Sequence, residues 1–224
     1  FIILLLSSYS FSQYFIMGQD PPSLKWKTIY LGNFELIYPE SSEKQAQYLA
    51  NSFQKVYGKA NRTLYHNPSR ISVILHNQTV ISNGFVAWAP KRMELFTTPP
   101  QDVFTVNWLD QLAIHEFRHV VQLDKMKQGG TKFLSYLFGE QAVPLVTGLY
   151  LPFWFIEGDA VLTETLYSPA GRGRLPSFEM KLRAQLLEKG KYSYDKAVFD
   201  SYKDYIPNHY ILGYHLTAMG TKNF

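Results

Sequence analysis

The chain has 224 residues, of which 46% are hydrophobic and 16% aromatic, with a formal net charge of +4 and no cysteine. This composition suits one substantial folded domain and excludes an intrinsically disordered chain. The mild charge, with no dense basic run, argues against a nucleic-acid surface. Without cysteine there are no disulfides, thiolate zinc sites or acylated lipoprotein cysteines.

The chain opens on the apolar run Phe1-Ile-Ile-Leu-Leu-Leu, followed by Ser7-Ser-Tyr-Ser-Phe-Ser12. Small residues at Ser10 and Ser12 fit a signal-peptidase site, so residues 1–12 read as the remnant of a signal peptide and Gln13 as the mature start. The competing reading is a membrane anchor over residues 1–17, although polar residues interrupt it and it is short for a span. An exported protein follows from the first reading: periplasmic, envelope-associated or extracellular. Residues 13–24 read as a linker, and residues 25–224 as the domain, with further sequence expected beyond Phe224.

Strand patterns come next at Lys25–Leu31 and Phe34–Tyr38, joined by the turn pair Gly32-Asn33. Ser41 or Ser42 is placed to cap a helix running to about residue 60, with Ala46, Leu49, Ala50, Phe53 and Val56 on one face. Ile71–His76 alternates and is β-branched; Gly84–Trp88 and Arg92–Thr97 complete the expected sheet before Pro99-Pro100 breaks the chain. From Trp108 onward the patterns are mostly helical. A β-rich part (25–100) followed by an α-rich part (101–224) is an α+β order.

The first of these helices contains His115-Glu-Phe-Arg-His119. Positions four apart lie one above the other on a helix, so both imidazoles can reach one metal ion. Glu116, beside that face, is placed to take a proton from a water that the metal activates. The pentapeptide lies within an unbroken helical pattern, with apolar residues at 108, 109, 112, 113, 120, 121 and 123. A buried helix whose histidines bond to backbone is the competing explanation. A hydrolytic zinc site needs a third ligand from elsewhere and an open position.

Residues 131–156 form a strongly apolar excursion broken by Pro144, Gly148 and Pro152, which disfavours a single membrane span. It reads as a buried helical segment; a surface touching lipid or substrate is the alternative. After it comes Trp154-Phe-Ile-Glu157-Gly158-Asp-Ala160-Val-Leu-Thr-Glu164. Together with the histidine pentapeptide, this resembles the gluzincin metallopeptidases, the group that includes thermolysin and the zinc aminopeptidases. The aminopeptidases carry W-x-x-E-G-x-A with a later Glu on the helix that completes their zinc site. The resemblance implies a zincin-like fold, a Zn²⁺ ion held by His115, His119 and Glu157, and Glu164 supporting the site from behind. The overall likeness is to bacterial exported proteins with a divergent peptidase domain, some continuing into a β-propeller.

The resemblance further implies hydrolysis of a peptide or protein substrate, with Glu116 as general base. In the aminopeptidases a Tyr in a Y-x-x-G context stabilises the oxyanion, which here points to Tyr210 in Asn208-His-Tyr-Ile-Leu-Gly213, with His209 and His215 behind it. A closing helix with Tyr210 and Tyr214 merely packed one turn apart is the alternative.

Two departures stand out. His119 and Glu157 are separated by 37 residues, more than in those relatives, the excess being the apolar excursion. Lys91-Arg-Met-Glu94-Leu lacks the Gly and Asn of the aminopeptidase G-x-M-E-N strand, so endopeptidase activity is the expectation, with that strand's edge open to an extended substrate. The run Gly171-Arg-Gly-Arg174 with Lys181, Arg183 and Lys189 reads as a solvated basic face, or as a contact for an acidic substrate or anionic membrane. A zinc-structured binding module without catalysis is the competing functional reading; an intact Glu116 argues against it.

Overall fold

The computed structural model describes residues 20–101 and 106–221. The expected signal remnant and most of the linker lie outside the described residues. Five strands form one mixed sheet: β1 (Trp26–Leu31), β2 (Phe34–Pro39), β3 (Ile71–His76), β4 (Gly84–Trp88) and β5 (Lys91–Phe96), in spatial order β1-β2-β3-β5-β4. β2, β3 and β5 are mutually parallel, whereas β1 and β4 run antiparallel to their neighbours at the two edges. The turn between β1 and β2 uses Gly32 at φ +53°, a conformation glycine adopts without a Cβ penalty.

The parallel step from β2 to β3 requires a crossover, which α1 (Glu43–Ala60) supplies. Its Ala46, Leu49, Ala50, Phe53 and Val56 are buried, as their spacing along one face predicts. Alternate residues of β2 (Phe34, Leu36, Tyr38) and β3 (Ile71, Val73, Leu75) meet that face in the core. Ser42 occupies the α1 N-cap but makes no capping bond. Its hydroxyl and that of Ser41 instead accept from Asn77 Nδ2, at 2.6 and 2.9 Å, so a long-range bond replaces the expected local cap.

The second part is helical, so the molecule is α+β as expected. α2 (Trp108–Met126) is its spine, started by Asn107, whose side chain accepts from Leu109 N at 2.9 Å. α2 packs against α1, β4 and α5 (Phe153–Tyr167), and is buried on nearly all sides through its middle. α3 (Gly129–Phe138) and α4 (Ala142–Tyr150) form a helical hairpin between α2 and α5. A 3-10 turn (Arg172–Arg174), α6 (Pro176–Lys189), α7 (Tyr194–Phe199) and α8 (His209–Thr221) complete the described chain.

Two expectations are corrected. The apolar excursion is helical but not buried: Phe133, Tyr136, Phe138, Leu145, Leu149 and Tyr150 are exposed, and the interior contacts fall mainly to Ala142, Val143 and Thr147. The strand holding Lys91 to Leu95 has no open edge, because β5 lies between β3 and β4; the edge strand on that side is β4.

Candidate metal centre

His115, Glu116 and His119 are all buried on α2, and Glu157 faces them from α5. The arrangement depends on how the two helices are fastened. Arg118, which is 2% exposed, grips Asp159 with Nε and Nη2 at 2.6 and 2.8 Å. Its Nη1 donates to Ala60 O at 2.6 Å, so one guanidinium ties α2 to α5 and to the end of α1. Gln122 Nε2 adds bonds to Asp159 Oδ2 (2.6 Å) and Ile156 O (3.0 Å). Bidentate charge-assisted pairing of this kind offsets the large cost of burying both ions.

Held this way, three ligand atoms converge. His115 Nε2 and His119 Nε2 are 3.3 Å apart, and Glu157 Oε2 lies 3.3 Å from the first and 3.4 Å from the second. The buried trio could hold a metal ion, and it is the only such group of three among the described residues. The far side of each ring is also occupied. His119 Nδ1 lies 2.9 Å from the Gln122 side-chain oxygen and His115 Nδ1 lies 3.1 Å from Glu164 Oε2. Protons on both Nδ1 atoms leave both Nε2 lone pairs free for a metal, the usual way a second partner fixes a ligand's tautomer.

Glu164 is 1% exposed and is itself anchored. Arg172 donates to its Oε1 from Nε (2.6 Å) and from the backbone (3.1 Å), and to its Oε2 from Nη2 (3.0 Å). Arg172 Nη2 also lies 2.7 Å from His115 Nδ1, so it donates there when that nitrogen carries no proton. Loop and helix approach this closely because Gly171 has no side chain: a Cβ there would run into the backbone of Glu164 and Thr165. Gly173 is likewise pressed against the Tyr214 ring. The reading of Gly171–Arg174 as a solvated loop is thereby corrected for Arg172, whereas Lys181, Arg183 and Lys189 are exposed along α6.

Tyr210 reaches the centre from α8, its ring 6.2 Å from that of His115 and capped by the Arg172 guanidinium at 5.2 Å. Its position follows from two glycines. α8 crosses α5 with Gly213 against Gly158 and the Trp154 carbonyl, so tightly that a Cβ on either glycine would meet backbone. Tyr210 lies one turn before that crossing and therefore overhangs the ligands. His209 packs, with its ring tilted, between Phe153 (centroids 4.7 Å apart) and Tyr210 (4.5 Å). His215 faces Glu179 of α6 at 3.5 Å and does not line the cleft.

The electrostatics follow from this packing. Burial opposes ionisation of Glu157, but bonds from the two imidazoles hold it well below the usual carboxylate range. Burial also opposes charging His119, yet Glu157 overrides it and raises the imidazole to about 9. Glu164 is buried too, but the Arg172 charge and the His115 bond bring it to about 2. Glu116 behaves differently: burial raises it, the histidines only partly counter this, and its carboxylate has no hydrogen-bond partner among the described residues. Burial, reinforced by Glu157, pushes the Tyr210 phenol up to about 12, so it keeps its proton and can donate.

These groups face a cleft of about 650 Å³. One wall is the edge strand, through Gly84, Phe85 and Val86; the opposite wall is Pro144, Thr147 and Gly148 of α4 with Phe153 and Ile156 of α5. Gly84 is another close approach, because a Cβ there would meet Leu112 and the Glu116 side chain. Glu94 lies outside the cleft and pairs with Arg92 and His76. Gln122, Arg118, Asp159 and Arg172 were not singled out from the sequence as parts of the centre. Only Gln122, three residues beyond His119 on one helix, carried a local signal. No family model, curated protein or solved structure matches this chain.

Proposed function

We propose that this protein is a zinc-dependent peptide hydrolase built on a zincin-like fold of the gluzincin kind, and an endopeptidase. The observation that carries the reading is the triangle of ligand atoms, with edges of 3.3, 3.3 and 3.4 Å. Ligands about 2.0–2.1 Å from a tetrahedral zinc stand about 3.3–3.4 Å from one another, so the trio has the dimensions of one face of such a site. Two imidazoles and one carboxylate are also a donor set that zinc accepts, and all three residues line the cleft, where water and a substrate could reach a bound ion.

Zinc bound there would act as a Lewis acid and lower the pKa of a water towards neutrality. The remaining roles belong to the chain. Glu116, raised by burial and free of competing bonds, accepts a proton from the attacking water and returns it to the leaving amine. Tyr210, protonated at neutral pH, donates to the oxyanion that develops on the carbonyl. The outer edge of β4, which borders the cleft and has no strand partner among the described residues, offers backbone groups to an extended peptide. Glu164 and Arg172 hold His115 in its metal-binding orientation.

Metal content together with cleavage of a broad peptide library tests this. The wild type is expected to carry one zinc per chain and to cleave. Glu116→Gln is expected to keep the zinc and lose activity by roughly 10²–10⁴-fold, the usual contribution of a general base. Stoichiometric zinc without cleavage by the wild type would replace the hydrolase with a zinc-structured binding module, and absence of zinc would remove both.

A further inference from the structure

The α3–α4 hairpin inverts the usual distribution of side chains. Phe133, Tyr136, Phe138, Leu145, Leu149 and Tyr150 are between 63% and 77% exposed, all within one pair of adjacent short helices. Scattered exposed apolar residues need no explanation, but a concentration of this kind marks an interaction surface. Its charge says what kind. Between Lys125 and Ile156 there are three lysines, Lys125, Lys127 and Lys132, and one acid, Glu140. Glu140 already accepts a bond from the Lys91 backbone, and none of the three lysines is in an ion pair among the described residues.

We propose that this hairpin seats the protein on an anionic lipid surface, with its Phe, Tyr and Leu side chains in the headgroup and upper acyl region and Lys127 and Lys132 against the phosphates. Lysine is depleted from protein–protein interface cores, where its strongly hydrated ammonium would have to be stripped of water. Beside Phe, Tyr and Leu on a short helix, the same lysine matches a membrane-surface element. The hairpin lies on the membrane and does not cross it. Its helices have 10 and 9 residues, and no single helix among the described residues is long and apolar enough for a span. α4 and α5 together are apolar enough but bend by 94°, and α5 is committed to the metal centre through Glu157 and Glu164. Because α4 also walls the cleft, docking brings the cleft mouth to the lipid surface. The inference does not depend on the centre being catalytic.

The absence of cysteine makes a direct test simple, since a single introduced thiol labels one position. The full chain carrying Leu149→Cys with an environment-sensitive fluorophore is mixed with vesicles of phosphatidylcholine alone or with phosphatidylglycerol. A blue shift with the anionic vesicles is expected, and none from the same label at Gln45→Cys on α1. In sedimentation with these vesicles, Lys127→Glu with Lys132→Glu is expected to weaken binding by roughly tenfold or more. Leu145→Asp with Leu149→Asp is expected to abolish it while circular dichroism and zinc content stay unchanged. Three results would overturn the proposal: no binding to either vesicle, equal binding by the wild type and the hairpin variants, or a dimer in light scattering that the Asp variants disperse.

Discussion

The metal-helix pair α2–α5 and the α3–α4 hairpin between them distribute their side chains in opposite ways. In the pair, an arginine, three glutamates, two aspartates and two histidines are buried, each of them except Glu116 tied to named partners. In the hairpin, six large apolar side chains face outward. Hydrophobic stabilisation alone would have exchanged these populations, since burying a Leu or Phe gains about 1.5–3 kcal/mol and burying an ion costs several. Each inversion is therefore evidence of something beyond folding. The first brings together a trio that could hold a metal ion; the second is the surface proposed above to meet lipid.

The largest expected effect separates the two regions. Glu157→Ala removes one of the three proposed ligands and is expected to lower zinc affinity by a factor of about 10³ or more, a fraction of the free energy of a zinc site. The hairpin variants should leave that affinity unchanged. Titration against a competing chelator measures both, and equal losses would mean that the regions are one cooperative unit. Metal-free His119 stands at about 9, so it holds a proton at neutral pH that zinc must displace. Apparent affinity should therefore rise with pH up to that value.

Next in size is the crossing that positions Tyr210. Gly213→Ala places a methyl group against the Trp154 carbonyl and Gly158, where backbone cannot yield as a flexible side chain would. A loss of about 2–3 kcal/mol in urea unfolding is expected. An unchanged midpoint would mean that α5 and α8 can separate at little cost. Gly148, on the outward-facing α4, has open space at its Cβ position, and Gly148→Ala should cost nothing of the kind.

Gln122→Ala is subtler. It leaves the three ligands in place but removes the acceptor of the His119 Nδ1 proton and a bond to Asp159. Zinc affinity should fall about 10–100-fold, the usual cost of losing such a partner. A smaller change would assign the orientation of His119 to the packing of α2 alone.

The contrast between the regions also explains what could be read in advance. The β3 pattern and the buried face of α1 were legible because each depends on a local period that burial enforces. His115, Glu116 and His119 were legible because helical spacing alone brings them together. Arg172 was not. It comes within bonding distance of Glu164 because Gly171 lets an irregular turn press on α5, and no periodicity encodes that approach. The hairpin was misread for the opposite reason. Apolar character predicts a preference to leave water, but it does not say whether protein or another phase receives the side chain.

The smallest expected effect lies at the border of the two regions, where α2 ends three residues before α3 begins. Asp124 fastens that end: its carboxylate accepts from Ser69 Oγ (2.6 Å), Ser69 N (3.1 Å) and Lys91 Nζ (2.8 Å), and faces His66 at 3.0 Å. Burial opposes its ionisation, but the bonds from Lys91, Ser69 and His66 bring it from 3.8 to about 2. A carboxylate depressed in the folded state contributes stability that is fully present above its unfolded pKa and fades as pH falls through the folded one. Asp124→Asn should therefore cost about 1–2 kcal/mol at neutral pH, partial exposure reducing the full linkage value. That gap should close as the pH is lowered from about 4 to about 2, where the wild-type carboxyl also becomes neutral. Urea midpoints across this range measure the gap, and a pH-independent difference would show that packing, not charge, anchors the end of α2. If the charge does anchor it, the variant should also be cut faster by trypsin after Lys125 and Lys127 at neutral pH, because a loosened α2 terminus exposes that backbone before the hairpin itself unfolds.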